Sequence, residues 1–149
     1  MDYTSTETTG FFAMLGVMSI VYIALLVVVA IGLWKVFVKA GKPGWAAIIP
    51  FYNVYVLVEI VGRPIMFFYM FIGGALLSLI PLLGLIFTLG LLVLWFILIL
   101  DTAKSFGKDI GYAVGLFLLP FIFIPMLGFG SSRYLGPAAA QPGAETKVI

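Results

Sequence analysis

From residue 65 to residue 100 the chain carries no charged side chain, and that stretch limits what can fold here more than any other. Written as one helix it would be ~54 Å long at ~1.5 Å per residue, far more than the ~30 Å of a hydrocarbon core. Pro81 and Gly84 interrupt it near the middle. Proline removes an amide donor and biases the residue before it, Ile80, away from helix. The stretch therefore predicts a tight helical hairpin with arms at 65–80 and 85–100. A second apolar run, 11–34, is uninterrupted and long enough for one crossing of its own. Of all residues 64% are hydrophobic and 9% charged, whereas a soluble domain carries roughly 25% charged residues. Lipid is the expected solvent.

Charge placement then sets orientation. Lys35, Lys39, Lys42 and Arg63 flank the segment 45–61, Lys104 and Lys108 follow the hairpin, and residues 1–10 contain no cation. By the positive-inside rule the short polar N-terminus, 1–10, lies outside and the 35–63 region is cytoplasmic. That N-terminus also lacks the basic start of a secretory signal. Lys35, Lys39, Lys42 and Lys108 read as membrane-border cations, with Trp34 as an interfacial anchor.

The segment 45–61 is apolar but contains Pro50, Asn53 and Glu59. As a crossing it would bury Glu59 and put Arg63 on the face opposite Lys42. Lying in the interface, or re-entering shallowly, it keeps all four cations on one side with Trp45, Tyr52 and Tyr55 at headgroup depth. A fifth span is the alternative. Glu59 and Arg63 are spaced i, i+4 with the acid first, the favoured order for a helical ion pair. The last apolar block, 110–128, contains Pro120 and Pro125 and predicts a kinked span, since neighbouring helices can satisfy the freed carbonyls. Residues 131–149 have the composition of a flexible tail. The expected fold is an all-α integral membrane protein with four transmembrane helices, 11–34, 65–80, 85–100 and 110–128. The interfacial or re-entrant segment 45–61 completes a single membrane domain at 11–130.

One pattern recurs: a glycine, a cation, then an apolar run that ends in two aliphatics and proline. Gly41-Lys42-Pro43 leads to Ile48-Ile49-Pro50, Gly62-Arg63-Pro64 to Leu79-Ile80-Pro81, and Gly107-Lys108-Asp109 to Leu118-Leu119-Pro120. The gaps differ, so a solenoid repeat is excluded. Either a duplication or a common way of ending helices at the membrane border accounts for it.

The chain has no cysteine and no histidine. Disulfides, a thiol nucleophile and a Ser-His-Asp triad are excluded, and zinc, haem and copper lose their usual ligands. A net charge of +2 does not suggest nucleic acid. No catalytic residue, metal ligand or cofactor site is assigned. The candidate polar residues are few. Asp101 and Lys104, i and i+3 at the end of the hairpin, form either a polar site in the bundle mouth or a helix-end ion pair. Glu59 with Asn53 and Arg63 forms either a polar pocket or the ordinary polar face of an interfacial segment. Gly111-x-x-x-Gly115 and Gly74-x-x-x-Ser78 are small-residue steps at which helices approach closely.

The stretch Lys39-Ala-Gly-Lys-Pro-Gly-Trp-Ala-Ala-Ile-Ile-Pro-Phe-Tyr-Asn53, with Asp101-Thr-Ala-Lys-Ser-Phe-Gly-Lys108 and Leu119-Pro-Phe-Ile-Phe-Ile-Pro-Met-Leu-Gly-Phe-Gly130, resembles a family of small bacterial membrane proteins of unknown function. The resemblance covers residues 34–135 and implies a bacterial inner-membrane location. Some similar domains precede a signal peptidase I, and stand-alone members carry that label. Peptidase chemistry of that kind needs a Ser-Met-x-Pro nucleophile and a lysine base on a β-domain. Here Met18 precedes Ser19 inside an apolar run, so the label does not transfer.

These readings converge on a non-enzymatic membrane protein, an accessory or scaffold subunit whose partners are the bilayer and other membrane proteins or further copies of itself. A small oligomeric transporter or channel is one alternative, and a membrane enzyme using Asp101 and Glu59 is another.

Overall fold

The computed structural model describes residues 3–140. Within them lie six α-helices: α1 (Tyr3–Lys39), α2 (Tyr52–Val61), α3 (Met66–Leu77), α4 (Gly84–Ser105), α5 (Ile110–Leu118) and α6 (Pro120–Phe129). Two 3₁₀ turns, Gly44–Ala47 and Ala138–Ala140, complete the regular structure, and the described residues contain no strand. α1 and α4 are long and apolar enough to cross a membrane. Residues 3–10 of the polar N-terminus are not a separate extension, because α1 already begins at Tyr3.

The repeated glycine–cation step acquires a structural meaning. α1, α2 and α4 all end on a left-handed glycine, Gly41 and Gly62 at φ 75° and Gly107 at φ 69°. In each case the following cation's amide reaches back five residues: Lys42 N–H to Phe37 O at 2.9 Å, Arg63 N–H to Val58 O at 3.0 Å, Lys108 N–H to Ala103 O at 2.9 Å. The glycine amides close the inner bonds, to Val38, Glu59 and Lys104. This is the Schellman stop, which needs a residue free of Cβ strain at the left-handed position and satisfies carbonyls that the helix end leaves open. The cation sits where the negative end of the helix dipole favours it.

The two-aliphatics–proline steps mark the opposite ends of the same units. Pro50, Pro81 and Pro120 each sit at a turn between a descending and a returning limb. Phe51 (φ 64°) and Leu82 (φ 75°), the two non-glycine residues at positive φ among the described residues, directly follow the first two of these prolines. The sequence pattern therefore encodes three consecutive hairpins that hang from one end of the molecule.

The first hairpin, 42–63, descends along α1 through the Gly44–Ala47 turn, folds at Pro50–Phe51 and returns as α2. Gly44 lies so close to the Trp34 indole that a Cβ there would overlap the ring. An ion pair between Lys42 and Glu59 joins the two limbs at the top. The segment thus starts and finishes at the same end of the molecule.

The second hairpin is the expected one, α3 down and α4 back, packed through Leu91 against Gly74 and Trp95 edge-on to Phe71. Its arms differ from 65–80 and 85–100 in length: α3 stops at Leu77, and α4 runs on to Ser105.

The third hairpin corrects the reading of 110–128 as one kinked span. α5 and α6 are separate helices that fold back on each other at Leu119–Pro120. The Tyr112 and Phe123 rings stand 5.1 Å apart, and the Tyr112 hydroxyl donates to the Phe123 carbonyl at 3.2 Å. In one straight helix those residues would be ~16 Å apart. Pro120 withholds its amide, Leu119 leaves helical geometry (φ −130°, ψ 59°), and Gly115 makes room for the Phe123 ring.

The first and third hairpins wedge between the long helices from the same end. One touches α1 through its 3₁₀ turn and α4 through α2; the other touches α4 through α5 and α1 through α6. α6 crosses α1 at glycine contact. A Cβ on Gly32 would come within 2.7 Å of the Pro125 nitrogen, and one on Gly128 would strike the Gly32 carbonyl. The core lies at the wedged end: Val36, Phe37, Val56, Ile60, Val61, Leu98, Ala113 and Leu127 are all buried there. By contrast, every residue of α1 from 5 to 28 is exposed.

Residues 131–140 also depart from the flexible tail that composition predicts. They lace across the wedged end, with the Leu135 amide on the Ser105 carbonyl at 2.7 Å. The Ala138 amide bonds the Ser105 hydroxyl at 3.1 Å, and the Tyr134 hydroxyl donates to the Ile60 carbonyl. Residues 1–2 of the expected N-terminus and 141–149 of the expected tail lie outside the described residues.

Candidate functional site at the polar end

The C-terminal ends of α1, α2, α4 and α6 meet at the wedged end, and most of the charged side chains of the chain meet with them. Their partners differ from those the sequence spacing suggests. Glu59 does not turn to Arg63 one helical turn on. It pairs with Lys42 across the mouth of the first hairpin. Arg63 instead crosses to α4, where its Nε donates to Asp101 Oδ2 at 2.7 Å. The reason is geometric: the left-handed Gly62 ends α2 before Arg63, so Arg63 is no longer on the face that carries Glu59.

Asp101 is buried, with 9% of its side chain exposed against 34% for Arg63. The guanidinium also lies over the Phe67 ring, 5.2 Å from its centre. A carboxylate at this depth is tolerated because a cation and a hydrogen bond accompany it. Beside it, Thr102 bonds back to the Leu98 carbonyl at 2.7 Å, and Ser105 is spent on the residue 131–140 lace. Lys104 lies one turn on from Asp101 and is exposed.

Asn53 is not part of this group. It sits in the first turn of α2, near the tip of the first hairpin, so the pocket of Asn53, Glu59 and Arg63 is not assembled. The small-residue steps divide in the same way. Gly74 and Gly115 are used for close packing within the chain, while Gly111 meets only the side chain of Asp109 and Ser78 bonds its own helix at Ala75.

A second cluster lies where α1, α5 and α6 converge. The Lys39 ammonium donates to the Leu127 and Gly130 carbonyls, each at 2.7 Å, and so caps the C-terminus of α6. Lys35 lies over the Phe129 ring at 5.9 Å and Lys108 over the Tyr112 ring at 5.4 Å. Asp109 caps its own helix, accepting from the Tyr112 amide at 3.0 Å.

Sequence reasoning missed several residues that hold this end together. Ser105 and Thr102 lie in a polar run that reads as a border, Tyr134 in a stretch that reads as tail, Gly32 has no small partner at i+4, and Gly128 has one only in Ser132, beyond the apolar block. The arrangement is one of ties between helix ends. Among the described residues no group of three acidic, histidine or cysteine side chains gathers as a metal cage would require.

A model of DUF5684, a family of unknown function, matches residues 45–137, and the chain belongs to that family. The matched region runs from the first hairpin to the lace at Pro137 and leaves α1 outside it. Neither the curated proteins nor the solved structures contain a match to the chain.

Proposed function

We propose that this member of the family is a non-enzymatic integral membrane protein, an accessory or scaffold subunit that packs beside a larger membrane assembly. One observation carries the reading: the molecule divides into a tied end and a bare arm. At the tied end the carboxylates are committed, Glu59 to Lys42, Asp101 to Arg63 and Asp109 to a helix cap. Among the described residues of that end no acid is left without a partner. Past its polar first turns the arm, 11–28 of α1, is apolar around its circumference: Phe11, Ile20 and Tyr22 are 59%, 70% and 63% exposed. Such a surface is unfavourable in water and natural in lipid or against another membrane helix.

In this reading α1 and the α3–α4 hairpin cross the bilayer, turn residues 78–83 lengthening the arm that the 12-residue α3 begins, and the first and third hairpins re-enter from the cytoplasmic side. α4, with 22 residues, is ~33 Å long and matches a hydrocarbon core. Non-helical backbone at the hairpin tips is acceptable there because protein surrounds it. In this reading the polar end, with its cations, faces the cytoplasm by the positive-inside rule, and the start of α1 lies outside. Three crossings and two re-entrant hairpins replace the four spans read from hydropathy, and residues 131–140 become cytoplasmic.

Tagged purification in mild detergent followed by native mass analysis tests the subunit reading. A fixed ratio with other membrane proteins is the expected result. Recovery only as a single chain or as a homo-oligomer would overturn it.

A further inference from the structure

Residues 131–140 leave α6 and cross the ends of α4 and α2, and none of them is buried. The residues they are tied to are: Ile60, Ser105 and Phe106 are all buried. The ties are few and mostly polar. Leu135 and Ala138 both bond Ser105, one at its carbonyl and the other at its hydroxyl. The Tyr134 hydroxyl donates to the Ile60 carbonyl, and the Tyr134 ring stands 5.5 Å from that of Phe106. Gly136, at φ 118°, bends the chain between the two amides that share Ser105. The start of the segment is fastened separately. Lys39 holds the Gly130 carbonyl, and the Ser132 hydroxyl donates to the Leu127 carbonyl at 3.2 Å.

We infer that 131–140 is a clasp, hinged at 130–132, that opens as a unit while the helices beneath it stay folded. Two features point to this. A segment with no buried side chain and few ties belongs to the least stable part of a fold and opens locally before the rest. Its ties also gather at the ends of α2 and α4, so that losing them together releases everything past the hinge. The helices it covers are held by a different set of contacts, the buried core and the Arg63–Asp101 pair. Opening frees the carbonyls of Ile60 and Ser105, the Ser105 hydroxyl and the Phe106 ring. The closed form withholds these groups and the open form presents them, so the clasp sets what a partner can touch at this end. The inference goes beyond the subunit reading and does not depend on how the chain sits in a membrane, because every contact it uses lies within the polar end.

Ser105→Cys turns the covered hydroxyl into a reporter thiol, in a chain with no other cysteine. Its alkylation rate in mild detergent is compared with those of Arg133→Cys, at an exposed position, and Val36→Cys, in the core. Each rate is divided by that of the same variant when denatured. Ser105→Cys should react more slowly than Arg133→Cys and faster than Val36→Cys. Adding Tyr134→Phe removes one tie and keeps the ring. It should speed Ser105→Cys about fivefold, the share of one intramolecular hydrogen bond, and leave Val36→Cys unchanged. Acceleration of both thiols alike, or of neither, would overturn the clasp. A Ser105→Cys thiol as reactive as that of Arg133→Cys would overturn its closed form. Hydrogen exchange of the unsubstituted chain reads the same opening if Ser105→Cys disturbs the polar end. The Leu135 and Ala138 amides should exchange ahead of the Arg63 and Lys108 amides that close helix ends, and equal exchange would refute the clasp.

Discussion

The two ends of this molecule are built from nearly the same apolar residues and behave oppositely. At the polar end Val36, Phe37, Ile60 and Leu98 are 1%, 0%, 1% and 0% exposed. At the far end Leu79 is 78% exposed and Leu82 96%, and every residue of α1 from 5 to 28 is exposed. In water such a difference would be a fault in the fold. In lipid it is not, because hydrocarbon gives little driving force for one apolar side chain to cover another. What decides burial here is where close approach and polar ties are possible, and both are concentrated at one end.

The largest expected effect breaks the α1–α6 crossing. Gly32→Leu puts a side chain against the Pro125 backbone, which cannot yield as a flexible side chain would. It should cost about 3 kcal/mol, at the upper end of overpacking, seen as early loss of monodisperse protein on heating in detergent. The matched change in the bare arm, Gly16→Leu, has nothing within 4 Å and should stay within about 0.5 kcal/mol. Equal effects would erase the contrast between the two ends.

Asp101→Ala comes next. It leaves Arg63 facing a buried gap, and since a third of the Arg63 side chain reaches solvent the expected cost is about 2 kcal/mol, below the range for a fully buried pair. Arg63→Met together with Asp101→Leu should recover much of it, read in the same thermal assay. A double variant no better than the single would show that the pair does more than neutralise itself.

Two glycine stops sharpen the comparison further. Gly41 and Gly62 share φ 75°, but only at Gly62 would a Cβ also meet the lace, 2.6 Å from the Pro137 Cβ. Gly41→Ala should cost roughly 1 kcal/mol through left-handed strain alone. Gly62→Ala should cost more and should also expose 131–140 to protease, which Gly41→Ala should not.

The smallest effect is pH-dependent. Burial raises the Tyr134 pKa above its ordinary 10.0, so its contribution is fully present below pH 10 and is lost as pH rises through the raised value. Cleavage within 131–140 should increase in that alkaline window in the native chain, while Tyr134→Phe should be cleaved faster at neutral pH and lack the alkaline step.

Much of the fold was legible, for reasons that show why the remainder was not. The α3–α4 hairpin follows from an uncharged stretch too long for one crossing with a proline at its centre. The return of 42–63 to its starting side follows from Lys42 and Arg63. The third hairpin was hidden because hydropathy measures length, and a fold at Leu119–Pro120 looks the same as a kink; the Ile48-Ile49-Pro50 and Leu79-Ile80-Pro81 parallels were the available signal. Among the polar residues, Asp101, Arg63, Glu59 and Lys42 were all visible as candidates, but their pairing was not. Spacing along one helix suggested Glu59 with Arg63, and only the left-handed turn at Gly62 redirects Arg63 to α4. Tyr134 and Ser105 carry no periodic signal, since a lace of backbone amides leaves none.

The central claim is that three hairpins hang from one end, so that 131–140 return to the side of Lys42. Because the native chain has no cysteine, single cysteines at Thr9, Lys42, Leu82 and Arg133 can be labelled from each side of sealed vesicles. The account predicts that Lys42→Cys and Arg133→Cys react from one side, and Thr9→Cys and Leu82→Cys from the other. Labelling of Arg133→Cys together with Thr9→Cys would mean that 110–128 crosses the membrane after all, and would contradict it.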